Sequence, residues 1–390
     1  MTFKTEQIIS ISCCPICDGV AQVVAQMPDY PITEIYKDYG SNDYVGPTNA
    51  HQSLRYCEGC QHLFIGEHLP RDFLYAHYVT ESSASRGAQI ALDHFYDFIS
   101  AKSTLSSATI IDIGANDTSL LERFINEGVK LIGIDPNISS DNPQIQCVKG
   151  YVEDCDLNSL TAGRRIFLCS HTLEHIYNPR AFLRQLSSVV KLEDDLFMQF
   201  PSFELLVRDG RFDQVHHQHL NYFSLKSISK LLGEFGLRID SYRFDSDHYG
   251  ALICHIRKGG ASIVASEFLY NFDDVMTSYL GFKQCMTACN LRIETFAENF
   301  YCFGASLMLP ILGYYLPSLD GAKSIIDSSE SKHGLTYINF ERPIISDGMI
   351  DYKNSNLVIT AVATKAATRQ VTKFLIEREA LNVVFPINML

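Results

Sequence analysis

Thr109-Ile-Ile-Asp-Ile-Gly-Ala-Asn-Asp-Thr118, followed by an amphipathic run and then Leu131-Ile-Gly-Ile-Asp-Pro-Asn137, sets the fold of this chain. Thr109 to Ile113 is a short apolar run bounded by glycine, the pattern of a strand buried on both faces of a parallel sheet. Gly114 permits a sharp turn and close approach of the backbone to a ligand. Ser119 to Gly128 has helical spacing, with Leu120, Leu121 and Phe124 on one face. Val129 to Ile134 is a second apolar strand, and it ends in Asp135. An acid at that point, about 20 residues beyond a glycine turn, is placed to accept hydrogen bonds from ribose hydroxyls. The stretch is therefore a βαβ unit built for a nucleoside, or else a structural turn of some other α/β domain.

Dinucleotide sites carry three glycines, because a pyrophosphate needs bare backbone at a helix N-terminus. Here only Gly114 is present, followed by Ala115-Asn-Asp-Thr118. One glycine plus polar side chains suits a nucleoside ligand without phosphates, and S-adenosylmethionine is the cofactor that fits.

With 390 residues the chain is long enough for two or three domains. A net charge of -13 argues against a nucleic-acid partner, which needs a basic face. The longest apolar run, near Leu307 to Leu316, is broken by Pro310 and Gly313, so no membrane span is expected. The N-terminal residues lack a secretory apolar core, and a cytoplasmic location is the expectation. In that setting the 12 cysteines are metal ligands or reduced core residues rather than disulfides.

Cys14-Pro-Ile-Cys17 and Cys57-Glu-Gly-Cys60 are two C-x-x-C knuckles. Together they supply four thiolates, the closed tetrahedral set that structural zinc prefers. The competing explanation is a thioredoxin-like redox pair, which needs no second knuckle. Cys13, adjacent to the first knuckle, is a spare. A second segment, Tyr75 to Ser85, is rich in hydroxyls and aromatics and runs into a helical pattern through Ile90, Leu92, Phe95 and Phe98. It is either a lid that brings Tyr78 and Ser82 or Ser83 to the cofactor, or a capped helix start.

Further strands follow at Cys147 to Val152, Arg165 to Ser170 and Asp195 to Pro201, alternating with helical patterns. That alternation predicts a doubly wound sheet, whose ligands bind at the carboxyl ends of its strands. On this basis Asp112, Gly114, Asn116, Asp135 and Pro136 are expected at the cofactor. Glu153 or Asp154 is placed to accept from the adenine amino group. His171 and Glu174 complete the cofactor side, and His175 and Gln199 begin the substrate side.

Asp112-Ile-Gly-Ala-Asn-Asp117, Gly133-Ile-Asp-Pro136 and Leu173-Glu-His-Ile176 resemble class I S-adenosylmethionine methyltransferases. With the double C-x-x-C in front, the chain resembles the zinc-containing sugar C-methyltransferases of deoxysugar and surface-polysaccharide pathways over nearly its whole length. In Phe212-Asp-Gln-Val-His-His-Gln-His-Leu-Asn-Tyr-Phe-Ser224 the resemblance places the reacting groups at His216, Gln218 and His219. The family pattern has tyrosine, glutamate and histidine there, so only the histidine is kept. Tyr222 and His248 are implied on the substrate side. The implied chemistry removes an acidified C–H beside a sugar ketone and lets the carbanion attack the sulfonium methyl. His219 is the implied base, His216 a second proton-transfer or oxyanion group, and Gln218 cannot titrate. O-methylation of a sugar needs only one base and is the alternative. A non-catalytic scaffold that binds a sugar nucleotide is the rival from another class. Thr118 stands where the family has glycine: a β-branched residue is strained at positive φ, but harmless as a helix cap.

Ala261 to Phe296 has the spacing of an amphipathic connector helix. Beyond it the strand–glycine–helix logic recurs around Gly304, with strands expected at 299–303, 324–327, 356–360 and 382–386. Asp327 is the counterpart of Asp135. The resemblance makes this half-sized domain the holder of a sugar nucleotide, and a structural role or a second cofactor site are the alternatives. The expected architecture is α/β: a zinc-binding segment (1–70), a Rossmann-like methyltransferase core (71–260), a helical connector (261–298) and a small Rossmann-like domain (299–390). The expected partner is a small nucleotide-linked sugar, with the chain a monomer or homodimer.

Overall fold

A computed structural model describes residues 7–76, 82–83, 86–157, 159–160, 163–247, 250–262, 268–361 and 364–388. Its centre is a seven-stranded sheet. We label its strands β1 (Thr109–Ile113), β2 (Lys130–Asp135), β3 (Ile145–Lys149), β4 (Arg165–Ser170), β5 (Asp195–Pro201), β6 (Leu237–Asp245) and β7 (Ala251–Lys258). The order across the sheet is β6-β7-β5-β4-β1-β2-β3. Strands β1 to β5 are mutually parallel, as the strand–helix alternation predicts. The hairpin β6–β7 was not legible beforehand; β7 inserts antiparallel beside β5. The order reverses between β1 and β4, and the crevice at such a reversal is where open α/β sheets bind ligands.

Burial follows the apolar runs. Every residue of β1 and of β5 is buried. Each isoleucine or leucine so enclosed contributes about 1.5–3 kcal/mol relative to exposure. The expected Ser119–Gly128 helix is shorter than its spacing implied. It is helical over Ser119–Glu122 and tightens to a 3-10 turn at Ile125–Glu127, ended by Gly128 at φ 65°. Leu120, Leu121 and Phe124 are nonetheless all buried.

The N-terminal segment is a four-stranded antiparallel sheet in the order Asn221–Tyr222, His62–Ile65, Asn49–Cys57, Gln22–Pro31. Its edge strand therefore comes from the middle of the chain: Asn221 pairs with Phe64, and Tyr222 with Leu63. A second ladder joins Tyr36–Asp38 to Leu335–Tyr337. The N-terminal sheet is thus a wedge hydrogen-bonded to both larger units.

The C-terminal unit is a five-stranded parallel sheet: Ile344–Ser346, Ile325–Asp327, Phe300–Phe303, Asn356–Ile359, Asn382–Val384. Four strands are those expected. The edge strand Ile344–Ser346, only three residues long after Pro343, is new. The connector helix is Phe272–Glu294. It begins at Asn271, whose side chain accepts the Asp274 N–H while Asp274 accepts that of Asn271. Among the described residues no helix is long and apolar enough to cross a membrane.

Candidate active site

The turn after β1 is built by Gly114, at φ 79°. A Cβ there would lie 2.1 Å from the Thr172 hydroxyl oxygen, so only glycine fits. Its N–H donates to the Ile134 carbonyl at 2.8 Å and locks the turn to β2. Asn116 and Thr118 also take positive φ, 46° and 61°. Thr118 makes no side-chain cap, and its hydroxyl donates to Ser140 Oγ at 3.1 Å. The strained of the two expected conformations is the one adopted, at a cost of about 1–3 kcal/mol.

One cavity of about 830 Å³ opens at this turn. Asp112, Gly114, Asn116, Asp135, Pro136 and Glu153 line it, as do His171, Glu174, His175 and Gln199. His216, Gln218 and His219 line it deeper in, and Ser306, Lys332 and Thr360 of the C-terminal unit close its far end. The structure therefore brings most of the expected residues to one space. Four are elsewhere. Ser83 does not line the cavity; its N–H donates to Asp117 Oδ2 at 2.7 Å, and Ser82 lines it instead. Asp154 is not a lining residue, although Glu153 is. Tyr222 lies fully buried behind the wall, donating to the Gln214 carbonyl at 3.2 Å. Asp327 is held by the N–H groups of Ala305 (2.7 Å) and Ser329 (2.8 Å), off the cavity. Tyr78 and His248 lie outside the described residues.

Asp112 is buried under the turn, and burial, with Asp135 and Asp117 nearby, pushes its carboxyl up to about 8. It is a neutral acid at physiological pH, able to donate as well as accept. Burial also raises Asp135, while the N–H groups of Asn137 and Asn116 oppose the shift.

The loop 212–222 carries the histidines and is laced to its surroundings. The Arg211 guanidinium grips Asp213 through two bonds, 2.8 and 2.9 Å, both side chains buried. Tyr30 donates to the Val215 carbonyl at 2.6 Å. His217 is structural: the Gln52 amide approaches its Nδ1, its Nε2 faces the Tyr30 carbonyl, and burial pushes it down to about 4. His216 and His219 remain for the cavity, with ring centroids 4.1 Å apart. His216 is fully enclosed, neither ring nitrogen has a hydrogen-bond partner among the described residues, and burial pulls it well below its ordinary value. His219 also stacks edge-on against His175 at 5.0 Å.

Sequence reasoning missed Glu34. It is buried in the N-terminal wedge at φ 69°, lines the cavity, and accepts from the Gln218 amide at 2.9 Å. A carboxylate is thus delivered beside position 218 from 184 residues away. No motif marks it; its burial and positive φ are visible only in the fold.

The four cysteine sulfurs also converge. Cys14 and Cys60 are 3.4 Å apart, and Cys17 lies 3.6 Å from both Cys57 and Cys60. Four sulfurs at about 2.3 Å from a tetrahedral zinc would be about 3.8 Å apart. The donor set and its spacing fit a closed thiolate site, and the Ile16 N–H donates to Cys14 Sγ at 3.4 Å.

Residues 84–242 match the family model of a methyltransferase domain. The chain carries a methyltransferase domain. The C-methyltransferase NovU of Streptomyces niveus is 22% identical over 211 residues, which are 50% of this chain and 49% of that protein. The chain thus spans about half the length of that relative. Among solved structures, the magnesium protoporphyrin IX methyltransferase of Synechocystis PCC 6803 with bound SAH is 18% identical. It covers 44% of this chain and 84% of its own, at a TM-score of 0.36. The O-methyltransferase NcsB1 from neocarzinostatin biosynthesis is 16% identical, covering 48% of this chain and 58% of its own, at a TM-score of 0.35. Likeness at that level carries nothing about ligands.

Proposed function

We propose that the chain transfers the methyl group of S-adenosylmethionine to a carbon beside the ketone of a nucleotide-linked sugar. The observation that carries this is one continuous cavity running from the Gly114–Asp135 turn, past His216 and His219, to Ser306 and Lys332. Asp135 holds the ribose hydroxyls and Glu153 lies toward the adenine. Zinc occupies the four thiolates and has no open position, so it holds the wedge and does no chemistry. A cytoplasmic setting, which keeps thiols reduced, belongs to the same reading.

An imidazole of the His216–His219 pair removes the C–H proton, and the electron pair moves onto the ketone oxygen as an enolate. The enolate carbon then attacks the methyl in line; the S–CH₃ bond breaks and leaves a neutral thioether. Gln218 positions Glu34, which supplies the carboxylate that position 218 lacks. O-methylation of a sugar hydroxyl is the second reading. It is favoured by the glutamine at 218, since it needs one base alone.

The test is deuterium exchange at the carbon next to the ketone of a keto-sugar nucleotide, in heavy water, without cofactor. The expected result is enzyme-dependent exchange that falls about 10²–10⁴-fold in His219→Ala while S-adenosylhomocysteine still binds. No exchange, with methyl transfer to a hydroxyl intact, would move the assignment to O-methylation. Neither activity would leave a sugar-nucleotide scaffold.

A further inference from the structure

We propose that Glu174, His175 and His219 form a second metal site, binding one divalent cation through two imidazoles and a carboxylate and leaving its other positions open to the cavity. Their ligand atoms all lie within 4.8 Å of one another. Neighbouring ligands on a single ion at about 2.1 Å are about 3 Å apart, so small side-chain rotations close the set.

Three observations point to a cation. Glu174 is 1% exposed, and its Oε2 has no hydrogen-bond partner among the described residues. A buried carboxylate oxygen left without a donor is costly, and a cation at that point removes the cost. The other oxygen, Oε1, is already held by His171 Nδ1 at 3.3 Å. Next, His175 Nδ1 lies 2.8 Å from the Gln218 carbonyl oxygen. A carbonyl only accepts, so Nδ1 carries the proton and Nε2 the lone pair. Metal-binding imidazoles are fixed in their tautomer and orientation by this kind of bond. Last, the two backbone segments are tied together, because the Leu220 N–H donates to the Glu174 carbonyl at 2.8 Å. That bond holds the ligand-bearing segments side by side.

The donors are nitrogen and oxygen, unlike the sulfur set near the N-terminus. They suit manganese, iron, cobalt or zinc with open positions, whereas the thiolate cluster is closed. This inference rests on the acceptor reading above and narrows it. A cation here takes two adjacent oxygens, the ketone and a neighbouring hydroxyl, and so selects an α-hydroxyketone. As a Lewis acid it stabilises the enolate oxygen as charge develops.

The experiment is titration of the zinc-loaded 390-residue chain with Mn(II), followed by the loss of the free-ion paramagnetic resonance signal. Thermal melting of each variant is the folding control. The expected result is one Mn(II) per chain, lost in the isosteric Glu174→Gln and in His175→Ala, and kept in Asp327→Asn, with a cooperative melt retained throughout. No Mn(II) uptake by the parent chain, or uptake unchanged in Glu174→Gln, overturns the site. Mn(II) binding that passes this test without ketone exchange would sink the keto-sugar reading and leave the metal site standing.

Discussion

Two turns in this molecule follow the same local rules. Ile113-Gly114-Ala115 ends β1, and Phe303-Gly304-Ala305 ends the central strand of the C-terminal sheet. Each glycine has positive φ, 79° and 103°, and each N–H reaches the neighbouring strand, to Ile134 at 2.8 Å and Ile326 at 2.7 Å. Each neighbouring strand ends in an acid that accepts the N–H two residues on, Asp135 from Asn137 at 2.7 Å and Asp327 from Ser329 at 2.8 Å. Yet Asp135 faces the cavity and Asp327 does not. Over the second turn the chain's own side chains close in: Lys332 donates to the Ala305 carbonyl at 2.8 Å, and Tyr337 to that of Ser306 at 2.7 Å. The motif determines how the backbone turns. Whether a ligand fits depends on what later segments fold across it.

The bluntest way to break the comparison is to remove the wedge that lets both units share one cavity. Cys14→Ala or Cys60→Ala opens the thiolate site, and structural zinc in small domains supplies about 10 kcal/mol or more of folding free energy. We expect elemental analysis to find one zinc per parent chain and none in the variant, with a melting temperature lower by more than about 10 °C and loss of turnover. The loop 216–222 hangs from that sheet through Asn221 and Tyr222.

A second difference lies two residues before each glycine, where Asp112 and Cys302 occupy equivalent buried positions. Cys302 is pushed up to about 12 by burial and does not titrate near neutrality. Asp112 is raised to about 8, from the usual carboxylate value near 4 in the unfolded chain. Between those two pH values the folded chain holds a proton that the unfolded chain has released. The stability this group contributes is therefore complete below about pH 4 and declines as pH rises to about 8. Denaturation of Asp112→Asn across that range should show the variant gaining on the parent by a few kcal/mol toward pH 8. A parallel pair of curves would refute the buried acid. Cys302→Ser should change nothing in that pH dependence.

A smaller effect sharpens the contrast. Gly114→Ala places a Cβ 2.1 Å from the Thr172 hydroxyl, and Gly304→Ala places one 2.0 Å from the Ala361 Cβ. Both substitutions should cost about 2–3 kcal/mol in denaturant melts. Only Gly114→Ala should also weaken S-adenosylhomocysteine. Equal weakening by both would mean the second turn holds cofactor too.

The comparison also shows what a sequence discloses. Local rules were legible: glycine turns, buried apolar strands, C-x-x-C knuckles and the acids at strand ends. The first five strands of the central sheet and four of the C-terminal strands follow from them. Features made by distant segments were not. Glu34 meets Gln218 across 184 residues. Asn221–Tyr222 reads as loop, because a two-residue strand has no periodicity. Tyr222 carries the composition of a binding residue but serves as a brace behind the His216 backbone, whose N–H reaches its hydroxyl at 3.4 Å. Asp327 obeys the same positional rule as Asp135, but no local pattern encodes the residues that cover its turn.

The central claim is that the first turn, and not its twin, holds S-adenosylmethionine. The most direct measurement is calorimetric binding of S-adenosylhomocysteine to the parent chain, to Asp135→Ala and to Asp327→Ala. We predict binding by the parent and by Asp327→Ala with equal affinity, and affinity reduced about 10–100-fold or more in Asp135→Ala, as befits loss of a charged acceptor. Binding that survives in Asp135→Ala, or that disappears in Asp327→Ala instead, would contradict the account.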